Sequence, residues 1–420
     1  MKAYQDYQRK KQLDGPWFLE GDTHPCQQAV VIPALAEGEQ LWATLDSLAI
    51  NPDELLRQCL IVVVINCRLD CNADLVEQNM RDLDELRQGR TFGALRLAWV
   101  DATNAGRELP AKQGGVGMAR KIGCDLILPL LAQGGQLIHL DADTIVDSNY
   151  MAAIAASFHN VSFGGAVIPY CHQSSTNADH HYAITLYELY LRSHVLGLQH
   201  AGSPYAYHTI GSTMVSTREA YIKAGGMNCR LAGEDFYFMQ QLAKTSGVGS
   251  VYGTVVEPDS RISQRTPFGT GQVVLELSSD SAASQRFYAP QCYQVLQQWL
   301  SLIRGEQEAH AEYLLEQAGK ISQELYDFLQ QEKFVATWQR ISTTHRDQRR
   351  RQRAFHEWFD GLKTMRLIHY LSDHRYPVGK ASEHVPDLLN LLALEGGDNA
   401  EQWLAVLRQQ VNLVDAQGKC

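Results

Sequence analysis

The stretch of this chain best equipped for chemistry is residues 136–150, QLIHLDADTIVDSNY, where the apolar run 137–140 leads into Asp141-Ala142-Asp143. Side chains alternate between the two faces of a strand, so both carboxylates are expected to point the same way at its exit. Two such groups repel each other, and burying them unpaired is costly. A divalent cation relieves both problems. Mg²⁺ or Mn²⁺ favours oxygen ligands, takes one or two carboxylates, and fills its remaining positions with water and phosphate oxygens. Asp-x-Asp at a strand end is therefore suited to holding a metal–diphosphate. An ordinary strand-to-helix junction, with Asp143 or Thr144 as N-cap, accounts for the same residues.

The elements that would position these groups can be read from the apolar pattern. Residues 29–32 form a short β-rich run ending at Pro33, followed by a loop carrying Glu37 and an apolar helix over 41–49. Residues 59–66, CLIVVVIN, are apolar up to the closing Asn66, as befits a strand covered on both faces of a parallel sheet. A helix is predicted over 70–87, and a third strand over 95–100 ends at Asp101. The loop 104–117 holds Lys112, Gly114, Gly115 and Gly117 and opens into a helix predicted over 118–131. Glycines before a helix N-terminus leave backbone N–H groups for an anion, although this spacing is neither a dinucleotide fingerprint nor a Walker loop. Repeated strand-to-helix steps imply a doubly wound α/β fold with ligands outside the carboxyl ends of the strands. Glu37, Asn66, Asp101, Asp141 and Asp143 all fall at such ends.

The rest of the body is less regular. Strands are predicted over 163–170, 211–216 and 251–256, and helices over 180–198 and 217–224. Glu234 and Asp235 open an apolar helix over 236–243, where the helix dipole favours acids and is expected to keep Asp235 ionised. The loop 257–271 carries Arg261, Arg265, Gly269 and Gly271. Tyr205, Tyr207 and His208 suit stacking on a ligand or, at least as well, a packed loop. Helical patterns at 293–303, 312–337, 355–371 and 385–394 set the C-terminal part apart. The expected organisation is an arm over 1–28, tacked down by Trp17-Phe18-Leu19, an α/β domain over 29–277 and a helical region over 278–420.

The 420 residues carry a formal net charge of −10, which argues against a nucleic-acid partner. With no apolar run of membrane-spanning length and a polar N-terminus, the expectation is a soluble, cytoplasmic protein without a transmembrane segment. Nine scattered cysteines suit a reducing compartment, with Cys67 and Cys71 read as thiols and not as a metal site. The basic run 346–353 reads as a solvated helix face, or as a docking point for an anionic acceptor or for peripheral contact with lipid headgroups.

Taken in order, several pieces resemble the family 2 glycosyltransferases of the GT-A fold. They are Val30-Val31-Ile32-Pro33-Ala34-Leu35-Ala36-Glu37, Gly115-Val116-Gly117-Met118-Ala119-Arg120-Lys121-Ile122-Gly123, Leu140-Asp141-Ala142-Asp143-Thr144, the 211–226 segment, and Gly233-Glu234-Asp235. Together they cover residues 29–271. The resemblance implies a mixed, doubly wound sheet, a nucleotide-diphosphate sugar donor (UDP- or GDP-linked), a hydroxyl acceptor, and Mn²⁺ or Mg²⁺. It implies that Glu37 and Asn66 contact the nucleotide, that Asp141 helps hold ribose and metal, and that Asp143 is the principal metal ligand. Asp235 becomes the general base, with Glu234 beside it orienting the acceptor. Arg261 and Arg265 are candidates to neutralise the diphosphate, and Asp101 and Lys112 join the donor-side residues. Two departures stand out: many members have Asp where Asn66 stands, and no His follows His208 until His310. A nucleotidyltransferase on a related sheet and a non-catalytic nucleotide-sugar or carbohydrate binder are the alternatives.

Overall fold

A computed structural model describes residues 2–231, 233–261 and 287–416. Among the described residues there are ten strands: β1 Glu20–Gly21, β2 Cys26–Ala34, β3 Cys59–Asn66, β4 Arg96–Ala102, β5 Leu131–His139, β6 Ile145–Val146, β7 Gly165–Val167, β8 Met214–Thr217, β9 Val248–Ser250 and β10 Val256–Glu257. Eight make one sheet in the order β1-β4-β3-β2-β5-β8-β7-β9, and β10 pairs with β6. The run β4-β3-β2-β5 is parallel, whereas β8 is antiparallel to both β5 and β7. The α/β, doubly wound mixed sheet expected from the sequence is therefore present. β3 is buried at every position, as its unbroken apolar run required. Each such Val or Ile contributes roughly 1.5–3 kcal/mol over leaving it exposed.

The boundaries carry the corrections. Helix Val116–Ile127 ends before Pro129, because the chain enters β5 at Leu131. β5 stops at His139, so Asp141 and Asp143 lie beyond the strand in a turn closed by Thr144 N donating to the Asp141 carbonyl. No helix starts there: β6 follows, and the next helix, Tyr150–Ser157, takes Asn149 at its N-cap position. The strand expected over 251–256 is absent apart from Val256: β9 ends at Ser250, the chain turns through Gly253, whose φ is +79°, and β10 begins at Val256.

The N-terminal segment is more than an arm. Helix Lys2–Lys10 buries Tyr7, whose hydroxyl donates to Asp125 Oδ1 at 2.5 Å and accepts from Lys121 Nζ at 2.8 Å. β1 adds an antiparallel edge to β4, and Trp17 Nε1 donates to the Arg107 carbonyl at 2.7 Å. Trp17 thus tacks the segment down as expected, but Tyr7 reaches further into the core. Cys67 and Cys71 form a disulfide, correcting their reading as thiols.

The chain divides into two compact units, residues 2–175 with 209–261 and residues 176–208 with 287–416. The second therefore includes helix Ala178–His200, which the sequence had grouped with the α/β domain. Its assignment follows from Glu188, buried between Arg192 Nε at 2.8 Å and Arg408 Nε at 2.7 Å. The long helical pattern over 312–337 breaks at Ser322, an N-cap, and at Lys333, where φ is +54°. Trp299 centres this unit, edge-to-face with Phe334, Phe355 and Phe359. Tyr205 belongs here too: it is buried and its hydroxyl donates to the His356 carbonyl at 2.5 Å, so the packed-loop reading holds for it. No described helix is long and apolar enough to cross a membrane.

Candidate active site

The carboxyl ends of β2 to β5 carry the polar groups that the sequence singled out, each with its own local anchor. After β2 the chain turns through Ala36 and Gly38, both at φ +53°. That conformation costs an L-residue about 1–2 kcal/mol, and it is held by Ala36 N donating to Asn79 Oδ1 at 2.7 Å. Gly38 N reaches Asp82 Oδ2 at 3.4 Å, which fixes both sides of Glu37. Asn66 spends its amide N–H groups on the carbonyls of Ala34 and Val64, at 2.9 and 3.1 Å, tying the ends of β2 and β3. Its Oδ1 is what remains for a ligand.

Asp101 is a different case. It accepts from the backbone N–H groups of Thr103 and Asn104 and from the Asn104 side chain, and it also pairs with Arg87 and Arg107. The hydrogen bonds from Asn104 and Thr103 hold its carboxyl below the usual range in spite of burial. With so many of its lone pairs taken by these groups, Asp101 organises the loop. Lys112 stands exposed in the glycine loop, with no ion pair among the described residues.

Asp141 and Asp143 diverge, contrary to the alternation expected of a strand. Asp141 accepts from Arg120 Nη2, while Asp143 Oδ2 lies 3.1 Å from Arg261 Nη2. Arg120, fully buried in helix Val116–Ile127, also approaches Glu234 Oε1 with Nε at 3.5 Å. Room for this bridge comes from two glycines. A Cβ on Gly211 would collide with Arg120 Nη2, and one on Gly117 would lie 2.8 Å from the Glu234 Cβ. Arg261 in turn gathers Glu37, Asp143 and Asp259, with Nε 3.7 Å from Asp259 Oδ2. Gln40 Nε2 holds the same Asp259 oxygen at 2.5 Å. Arg265 and the remainder of that loop lie outside the described residues.

Helix Glu234–Ser246 presents Glu234 buried against Arg120 and Asp235 half-buried beside it. Burial, then the charge of Glu234, pushes the Asp235 carboxyl up to about 7. The dipole argument for a firmly ionised Asp235 is thereby corrected: desolvation and a like charge outweigh the helix end. Burial, with Asp141 and Glu37 nearby, likewise drives Asp143 up to about 7, and Arg261 only partly opposes it.

Sequence reasoning left three of these residues without a role. Arg120 was legible as a charge among apolar neighbours in a helix, a residue type seldom buried without a partner. Asp259 sat two residues from Arg261 with nothing to distinguish it, and Gln40 gave no signal.

The residues fit a divalent cation that arrives with a diphosphate better than one caged by protein alone. Among the described residues no three His, Cys, Asp or Glu side chains stand ready to hold an ion. Glu37, Asp141, Asp143 and Asp259 nonetheless outnumber Arg120 and Arg261, and that excess adds to burial in raising the Asp143 carboxyl. A cation ligated by Asp143 and phosphate oxygens suits such a donor set.

No family model and no curated protein matches the sequence. Several solved structures are similar in fold. S. aureus TarS 1–349 matches with a TM-score of 0.35 and 12% identity over 73% of this chain and 91% of that one. The mannosyltransferase PcManGT from Pyrobaculum calidifontis, solved with GDP-Man and Mn²⁺, matches at 0.37 and 14% over 99% and 95%. GalNAc-T7, solved with UDP, GalNAc and Mn²⁺, matches at 0.34 and 15% over 61% and 48%. At so low an identity and TM-score, what the site does is read from this chain's own side chains.

Proposed function

We propose that this chain is a metal-dependent, inverting glycosyltransferase of the family 2, GT-A type, moving a sugar from a UDP- or GDP-linked donor to an acceptor hydroxyl. The observation that carries the reading is the pairing of two groups, one at the carboxyl ends of the strands and one on the helix that Arg120 ties to them. One is a carboxylate–arginine cluster built for a metal and a diphosphate. The other is Asp235, a carboxylate poised to exchange a proton near neutral pH.

Asp235 accepts the proton of the acceptor hydroxyl as that oxygen attacks the anomeric carbon. The bond from that carbon to the phosphate oxygen breaks, its electron pair leaves with the diphosphate, and the configuration inverts. A carboxyl titrating near 7 is well matched to this task, because it is substantially ionised at neutral pH and still basic enough to take a proton. Glu234, held by Arg120, keeps the first turn of the helix in place and raises the basicity of Asp235 by its charge. Arg261 neutralises the departing phosphate. When bound, Mn²⁺ or Mg²⁺ supplies the remaining charge neutralisation of the leaving group, with Asp143 as its ligand and Asp141 beside it. Asn66 Oδ1 and Glu37 face the nucleotide, and Lys112 offers a mobile cation to the phosphates.

Incubation with a panel of nucleotide sugars and Mn²⁺ tests the proposal. Release of nucleoside diphosphate, dependent on metal and on Asp235, is expected. Pyrophosphate release from a nucleotide triphosphate and sugar phosphate would make it a nucleotidyltransferase instead. Donor binding without turnover across a broad acceptor set would make it a binding protein.

A further inference from the structure

We propose that Arg261 is the resident cation of the donor cluster: it closes Glu37, Asp143 and Asp259 to a free divalent ion and yields them to one carried in on a nucleoside diphosphate. This rests on the donor reading above. Three carboxylates from separate segments converge on one guanidinium. Nη2 lies on Glu37 and 3.1 Å from Asp143, Nε is 3.7 Å from Asp259, and the backbone N–H of Arg261 donates to Asp259 Oδ1 at 3.2 Å. Nη2 stands between Glu37 and Asp143, the place from which an ion would bridge them, while Asp259 is held apart on a different nitrogen, so the guanidinium and an ion ligated by these oxygens at about 2.1 Å exclude each other. The absence of a three-ligand cluster among the described residues agrees with that spacing. An ion can bring Glu37 or Asp259 to the side of Asp143 only after the guanidinium has moved.

The guanidinium has somewhere to go. Its side chain is 27% exposed, against 2% for Arg120. A diphosphate offers the planar fork a bidentate acceptor at least as good as the carboxylates it would leave. A metal–diphosphate therefore exchanges partners with the cluster without stranding a charge: the cation replaces Arg261 on the carboxylates, and Arg261 moves to the phosphates. A free ion offers no such second partner and would leave the arginine uncompensated. Binding is thereby made ordered, with nucleotide and metal entering together.

The role predicts effects of opposite sign. Binding of Mn²⁺ alone is followed by the paramagnetic resonance of the free ion, and binding of UDP and GDP in saturating Mn²⁺ by calorimetry. Arg261→Met is expected to bind Mn²⁺ alone about tenfold more tightly than wild type, and the nucleoside diphosphate about tenfold more weakly. Arg261→Lys keeps a cation in place and is expected to stay close to wild type for Mn²⁺ alone. Should the Met variant fail to fold, Arg261→Gln is measured in its place with the same expectation. Unchanged or weaker Mn²⁺ affinity on loss of the guanidinium overturns the role, whatever nucleotide binding shows. A rise in Mn²⁺ affinity with no UDP or GDP binding in any protein supports exclusion of the free ion and removes the donor reading instead.

Discussion

Two arginines, Arg120 and Arg261, each join carboxylates from separate segments, and they differ in how far they are sealed. Arg120 sits on a helix with 2% of its side chain exposed, between Asp141 and Glu234. Arg261 sits on a loop with 27% exposed, between Glu37, Asp143 and Asp259. A sealed guanidinium cannot leave without stranding buried charges, so the Arg120 bridge fixes the distance between the donor-side turn and the helix of Asp235. A half-open one can trade partners. The same pairing chemistry thus serves as a strut in one place and as an exchangeable counter-ion in the other.

The largest effect is expected at the strut. Arg120→Met leaves Asp141 and the buried Glu234 without their common cation, and breaking a buried pair from one side costs about 3–5 kcal/mol. Urea unfolding should show that loss, whereas Arg261→Met should change stability by less than about 1 kcal/mol, as expected for a partly exposed pair. Equal losses from the two substitutions would erase the distinction.

Next in size is Asp235→Asn, which keeps shape and leaves both arginine clusters untouched. Transfer is expected to fall by roughly 10²-fold or more while donor and metal still bind. A near-normal rate would move the base to Glu234, and with it the meaning of the Arg120 bridge.

Asp235 also gives the comparison a pH dependence. Its carboxyl titrates near 7 in the folded chain and near 3.8 when unexposed to that environment. Between those values the folded chain holds a proton that the unfolded chain has released, so stability falls as pH rises from about 4 through 7. Asp235→Asn removes the share of that fall that belongs to Asp235, while Asp143, also pushed up to about 7, keeps its own. The variant should be more stable than wild type at pH 8 by about 1–2 kcal/mol, with the difference vanishing toward pH 4. Transfer by the wild type should decline as pH drops through 7, since the base must be ionised. A variant no more stable than wild type at pH 8 would mean that Asp235 is better solvated than its neighbours suggest.

The elements of the sheet were legible because their signal is local. β3 announces itself by an unbroken apolar run, and Asn66, Asp101 and the two aspartates mark the ends of strands by simple adjacency. What was not legible depends on partners far away in sequence. Asp141 and Asp143 were expected on one face, but the strand ends at His139, and each aspartate turns to an arginine 21 and 118 residues away. Asp101 resembles a ligand-binding acid until its loop and two arginines are seen to occupy it. Helix Ala178–His200 has an ordinary apolar pattern; the Glu188–Arg408 pair, across 220 residues, and the packing of Leu186, Leu189 and Leu196 with Val385, Leu389 and Leu404 assign it to the helical unit. The proton affinity of Asp235 likewise follows from burial and from Glu234, which a dipole argument made from sequence alone could not weigh.

The smallest effect is expected at Lys112, a cation proposed for the donor side that belongs to neither cluster among the described residues. It is exposed, has no ion pair among the described residues, and is carried on a flexible stem in the glycine loop. A point charge of this kind, fully solvated before binding, gains little from meeting a phosphate, and that gain is screened by salt. Lys112→Ala should therefore weaken nucleoside diphosphate binding by no more than about threefold at low ionic strength, with the difference lost at about 0.5 M salt. Arg261→Met should keep most of its tenfold loss under the same conditions, because its partners are partly buried. Calorimetric titration of both variants at two salt concentrations makes the test. A salt-resistant loss at Lys112 larger than at Arg261 would shift the phosphate site to the glycine loop, and the exchange of partners assigned to Arg261 would have no diphosphate within its reach.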